Sequence, residues 1–190
     1  EIKTSLGNKG AGAITIPDSG TGSPYPSPLT VSTGATSVSS IQLKINGYSH
    51  TFPDDVDVLL VGPGGETLVV MSDVGGGTDV TGINLVLDDA AASLLSDAGP
   101  LTSGTFRPSN VIAGDAFAAP APAGPHNNPA PAGAATFTSI FGGSDPNGDW
   151  DLFVVDDAGQ DLGSIAQWCV AFGNADPMPF LDGFETGDTS

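Results

Sequence analysis

Three observations in this chain predict an all-β domain built as a sandwich of two sheets. Apolar residues come in short runs of strand length, turn-forming residues interrupt them at close intervals, and one stretch alternates apolar and polar positions. The chain has 190 residues, 39% of them hydrophobic, with 27 Gly and 16 Pro. That length suffices for one domain with a full core, and the Gly and Pro content lies just under the level that marks low complexity. About nine short strands separated by turns fit a two-sheet sandwich, and no repeat of longer period is visible.

Taken in order, residues 1–13 read as a small, Gly-rich leader or linker. Ile14 to Ile16 is a short strand closed by Pro17-Asp-Ser-Gly20, and a loop with Pro24, Pro26 and Pro28 leads to a brief strand from Leu29 to Ser32. From Val38 the sequence alternates, with Ile41, Leu43 and Ile45 on one face and Ser40, Gln42 and Lys44 on the other. That pattern predicts a half-buried strand, which Gly47 is expected to turn. Val56 to Val61 is a β-branched apolar run, Gly62-Pro-Gly-Gly65 supplies the backbone freedom of a reversal, and Thr67 to Met71 runs back as the second arm of a hairpin.

After the Gly75-Gly-Gly77 loop, Ile83 to Leu87 is the next strand, and Ala90 to Leu95 is read as a short helical turn. Gly104 to Pro108 is an edge segment, because Pro108 cannot donate to a ladder. Ala116 to Ala135, with its Ala-Pro and Gly-Pro steps, reads as an extended, polyproline-like loop. Phe137 to Phe141 resumes apolar structure, Asp145-Pro-Asn-Gly148 is a turn, Asp149 to Val155 is a strong strand, and Ser164 to Phe172 is the last.

Charge narrows the function. The chain carries 22 Asp and Glu against 4 Lys and Arg, a net charge of −18. Nucleic acid and anionic membrane surfaces would be repelled, and no apolar run of about 18 residues exists to span a bilayer. Cys169 is the only cysteine, so no internal disulfide can form. Acidity, scarce Lys and metal in place of disulfides suit a secreted, extracellular bacterial protein, expected to be a monomer. The sequence opens at Glu1 with no charged and apolar leader, so any signal peptide is expected to have been removed or to lie upstream.

The acidic groups are unevenly placed. Pairing the two hairpin arms antiparallel brings Asp54, Asp55 and Asp57 toward Asp73, with no Lys or Arg in the stretch from His50 to Asp73. Such carboxylates repel one another unless a cation sits among them, and calcium, a hard ion taking oxygen ligands, is the expected one. The candidate ligands are Asp55, Asp57 and Asp73, joined by Asp88 or Asp89 from the next strand end; Asp55 and Asp57, two apart, would share one side of a strand. The competing reading is a solvated acidic rim. Asp156, Asp157 and Asp161 form a second acidic group, either another cation site or a turn cap.

Other chemistry finds less support. Asp145-Pro-Asn-Gly-Asp-Trp-Asp151 has the odd-position acids of an EF-hand loop, but Trp150 stands where that loop needs Gly. Trp150 and Trp168 are expected in the core. A hydrolytic triad needs a positioned base, and only His50 and His126 are available; no Gly-x-Ser-x-Gly elbow occurs. Cys169 has no flanking cation to activate it, and no His and Cys cluster suggests zinc. The chain is expected to have no catalytic residues.

Five motifs then carry a resemblance: Ile14-Thr-Ile-Pro-Asp18, His50-Thr-Phe-Pro-Asp-Asp55-Val, Leu60-Val-Gly-Pro-Gly-Gly65, Gly148-Asp-Trp-Asp-Leu-Phe-Val-Val-Asp156 and Asp161-Leu-Gly-Ser-Ile-Ala-Gln-Trp168. In this order they resemble the P domain of furin- and kexin-like proprotein convertases, in its bacterial secreted version. The resemblance spans residues 14–173 and leaves 174–190 as a C-terminal tail, similar to terminal segments on secreted proteins of some Gram-negative bacteria. It implies a jelly-roll-like β-sandwich, often calcium-binding, that follows and stabilises a subtilisin-like protease domain. The implied partner is that neighbouring catalytic domain; an extracellular protein or polysaccharide substrate is the alternative. The Ala/Pro loop is longer than the convertase pattern leads one to expect.

Overall fold

A computed structural model describes residues 10–174. The leader before Gly10 and the tail after Asn174 lie outside the described residues. Among the described residues, twelve strands, one 3-10 turn and one α-helical turn make up the fold: β1 (Ile14–Ile16), β2 (Gly20–Thr21), β3 (Ser27–Val31), β4 (Val38–His50), the 3-10 turn (Pro53–Asp55), β5 (Val56–Val61), β6 (Thr67–Ser72), β7 (Val80–Asp88), β8 (Gly104–Phe106), β9 (Ser109–Asn110), α1 (Phe137–Phe141), β10 (Gly148–Asp156), β11 (Gly163–Ile165) and β12 (Gln167–Asn174). The excess over the expected strand number comes from two- and three-residue pieces. No helix among the described residues is long and apolar enough to cross a membrane.

The strands form two sheets packed as a sandwich. The first runs β1-β11-β4-β7-β8, with β12 also paired to β4; the second runs β2-β10-β5-β6-β9, with β3 also paired to β10. The alternating residues of β4 send Ile41, Leu43 and Ile45 into the core, where Trp150 and Trp168 are fully buried. Both indoles find acceptors, Trp150 at Pro146 O and Trp168 at Ser27 Oγ, each 2.9 Å away. Buried indole N–H groups require such partners.

β5 is buried along its whole length, which explains its unbroken apolar run. Val56, Val58 and Leu60 face the other sheet, while Leu59 and Val61 join Val69 and Phe153 in a smaller cluster on the outer face. Tyr25, Phe117 and Ala121 pack onto that outer cluster. Phe117 and Ala121 belong to the Ala/Pro loop, so the long loop acts as a lid over the outside of the second sheet. Its backbone is tied down by Val69 N to Asn127 O at 3.0 Å and Asn110 N to Ala130 O at 3.1 Å.

The β5–β6 hairpin forms as expected, pairing Leu60 with Leu68 and Val61 with Thr67. Three local expectations change. Gly47, at φ 65°, does not end its strand; the register shifts between Ile45 and Tyr48, a bulge of the kind glycine permits, and β4 continues to His50. Ala90 to Leu95 is not helical: a turn closed by Ala91 N to Asp88 O begins it, and Leu94 then bridges to Arg107. The expected last strand divides into β11 and β12 at Ala166, whose N–H donates to Asn46 O.

Candidate metal centre

Hairpin geometry builds the first acidic group. Asp57 follows Val56 on β5 and so points to the outer face with Leu59 and Val61. Ser72, at the end of the partner arm β6, is fully buried, and its hydroxyl lies 2.6 Å from Asp57 Oδ1, 3.1 Å from Asp73 Oδ2 and 3.0 Å from Asp115 Oδ1. One hydroxyl carries one proton, so it can donate to only one of these three carboxylates at a time. Asp73 is held here by a left-handed backbone, φ 51°, an uncommon conformation that Asp and Asn tolerate best among side-chain-bearing residues.

Electrostatics record the crowding. Burial pushes the Asp57 carboxyl up to about 8, with the Ser72 hydrogen bond opposing it and Asp115, Asp157 and Asp73 adding to it. Burial and then Asp115 raise Asp73, against the Ser72 bond and the Ile112 N–H. Asn110, wholly buried on β9, donates from Nδ2 to Asp115 Oδ2 at 2.6 Å and to Asn128 Oδ1 at 3.0 Å. Its own Oδ1 is buried without a hydrogen-bond partner. Buried acceptors in folded proteins are nearly always matched, so this oxygen is one that a donor or a cation could satisfy.

The second acidic group sits where β4, the turn after it and the end of β10 meet. Asp156 and His50 are buried, and His50 Nε2 lies 3.1 Å from Asp156 Oδ2, while Nδ1 lies 2.9 Å from Phe52 O. A side chain at Gly163 would collide with the imidazole, so that glycine secures the pair. Asp157 N donates to Asp55 O at 3.0 Å, and Thr51 Oγ1 to Asp161 Oδ1 at 2.9 Å. Burial raises the Asp55 carboxyl to about 6, helped by Asp156, Asp157, Asp161 and Asp54. The Tyr48 hydroxyl is buried without a partner and is raised further by Asp156 and Asp55.

The expected ligands therefore separate. Asp57 and Asp73 meet. Asp55 does not join them, because Pro53–Asp55 forms a single 3-10 turn ahead of β5 and the strand alternation does not reach back to it. Its charge belongs with Asp156, Asp157 and Asp161. Asp88 accepts from Gln42 Nε2 at 2.6 Å and Ala90 N at 2.9 Å, on the first sheet. Asp89 supplements the Thr136 N-cap of α1, accepting from Phe137 N at 2.9 Å and Thr138 N at 2.8 Å. Sequence reasoning missed Ser72, Asn110 and Asp115. Ser72 was legible as the neighbour of Asp73, but Asn110 and Asp115 arrive through β9 and the Ala/Pro loop, which no local pattern places.

No three His, Cys, Asp and Glu side chains among the described residues form a ready group for a metal ion. A cation here would draw on amide, hydroxyl and backbone oxygens as well as carboxylates. Such an all-oxygen set fits a hard ion such as calcium and not zinc. Beside the cluster, Asp115, His126 and Asn128 line a cleft of about 270 Å³ under the Ala/Pro loop, with Val69 on its apolar side.

No protein-family model matches the chain, and no curated protein sequence matches it. Among solved structures, the fold is similar to the crystal structure of a serine protease of Aeromonas sobria, with a TM-score of 0.41 and 12% identity over 84% of this chain and 24% of that one. The same protease in complex with its chaperone, ORF2, gives a TM-score of 0.41 and 12% identity, over 84% of this chain and 25% of that one. The chain spans about a quarter of the length of those structures, and a likeness this loose says nothing about the acidic groups.

Proposed function

We propose that the chain is a non-catalytic, calcium-binding accessory module of a secreted bacterial protein, one that stabilises or assists a subtilisin-like protease domain. One observation carries the calcium reading: three carboxylates, Asp57, Asp73 and Asp115, share the hydroxyl of Ser72 beside the unmatched Oδ1 of Asn110. Calcium would be held by those oxygens, tying the end of the β5–β6 hairpin to the Ala/Pro loop. The accessory role is supported by the five P-domain-like motifs. A stand-alone extracellular binding module is the second reading, favoured by the cleft beside Asp115.

Melting curves test the calcium reading. An ion at a hundredfold excess over its Kd stabilises by about 2.7 kcal/mol, or roughly 5–10 °C for a chain of this size. Chelator should lower the melting temperature by that much, and calcium should restore it more fully than magnesium. Asp73→Asn, which keeps a residue tolerant of the left-handed backbone, should remove most of the calcium increment. A melting curve indifferent to chelator and calcium sinks the reading.

A further inference from the structure

The Ala/Pro loop has a use beyond covering the outer face. Between it and β6 lies the cleft of about 270 Å³. Small-molecule pockets run about 300–1,000 Å³, so this one suits a single side chain. Asp115 opens on it as an oriented carboxylate, one oxygen accepting from the buried Asn110 amide at 2.6 Å and the other 3.0 Å from the Ser72 hydroxyl that it shares with Asp57 and Asp73. A carboxylate has about four lone-pair sites, so two remain free to accept. Val69 and Pro125 give an apolar surface for a methylene stem. Among the described residues, no Lys or Arg lines the cleft. His126 stands edge-on to Phe117, ring centroids 5.4 Å apart, and its burial favours the uncharged ring.

We propose that this cleft binds the guanidinium of an arginine presented on a segment of another protein, with Asp115 as its bidentate partner. Charge decides the class of occupant. The chain holds only 4 Lys and Arg against 22 acids, so its surface favours a cationic partner, and Asp115 offers that partner a carboxylate on the cleft. Guanidinium is preferred because its planar fork matches a fixed carboxylate, and its weak hydration lowers the cost of entering a partly dry cleft. The arginine site is compatible with calcium and does not rest on it.

Titrating a short blocked peptide, Gly-Arg-Gly, into the labelled chain and following amide shifts by NMR tests the assignment. Saturable shifts are expected at Gly114, Asp115, Gly124 and His126. The same peptide with neutral, isosteric citrulline should bind about tenfold more weakly or worse, since a charge-assisted pair is lost. Asp115→Asn should abolish the difference between the two peptides. Gly124→Leu should block both peptides without touching the carboxylate: a Cβ at Gly124 meets nothing closer than 3.6 Å, so the backbone accepts a side chain there, and an unchanged melting temperature checks that the variant folds. Equal binding of the two peptides by the wild-type chain overturns the proposal, as do wild-type arginine binding by Gly124→Leu and the absence of shifts at these residues. The titration is run in calcium and in chelator. A chain that binds the arginine peptide but melts identically in both loses the calcium reading and keeps this one.

Discussion

Asp57 is the residue on which the acidic end of the hairpin turns. Its carboxyl is raised from 3.8 to about 8 by burial, and Asp55 is raised to about 6. A carboxyl that holds its proton more tightly when folded gives the folded state more bound protons than the unfolded chain between the two values. Stability therefore falls as pH rises through that window. In chelator, unfolding free energy should decline from about pH 4 to about pH 8, with Asp57 alone of the two acting above pH 6. A single group sets a limiting slope of about 1.4 kcal/mol per pH unit. Asp57→Asn should flatten the limb between pH 6 and pH 8 in urea titrations. Calcium should flatten it in the wild type, because an ion bound to the carboxylate replaces the proton. An unaltered limb in the variant would remove Asp57 as the cause.

At the level of elements, Asp89 distinguishes a cap from a ligand. Its two oxygens receive Phe137 N and Thr138 N at the start of α1, and the single turn holds Phe137 and Phe141 fully buried. Asp89→Ala should cost about 1–2 kcal/mol, equally in calcium and in chelator; a loss seen only in calcium would restore Asp89 to the metal site. The same element shows what a sequence can and cannot reveal. β5, β6 and the core side of β4 were legible because burial writes a period of two or an unbroken apolar run into the residues themselves. The meeting of Asp57 with Asp73 followed from antiparallel pairing alone. Asp55 was misplaced because a proline-initiated 3-10 turn interrupts the alternation, and Pro53 was the available signal. Asp115 and Asn110 were invisible, since a loop that closes across a sheet face brings them in from some forty residues beyond Ser72.

The whole chain carries a net charge of −18, and the sandwich concentrates two acidic groups at the ends of β5, β6 and β10. Self-repulsion of this kind opposes the compact state, and it is screened over about 30 Å at 0.01 M salt but only about 3 Å at 1 M. Raising NaCl in the presence of chelator should therefore raise the melting temperature of the chain. Above about pH 8, where Asp57 gives up its proton, Asp57, Asp73 and Asp115 repel one another around one shared hydroxyl. Calcium bound there would cancel that part of the repulsion before salt could act on it. The increment that NaCl adds should accordingly be smaller in calcium than in chelator, and Asp57→Asn in chelator should fall between the two. Differential scanning calorimetry across a salt series measures this directly. A salt increment of the same size in calcium and in chelator would mean that the ion neutralises charge elsewhere on the surface, and that the hairpin end stabilises its carboxylates with protons alone.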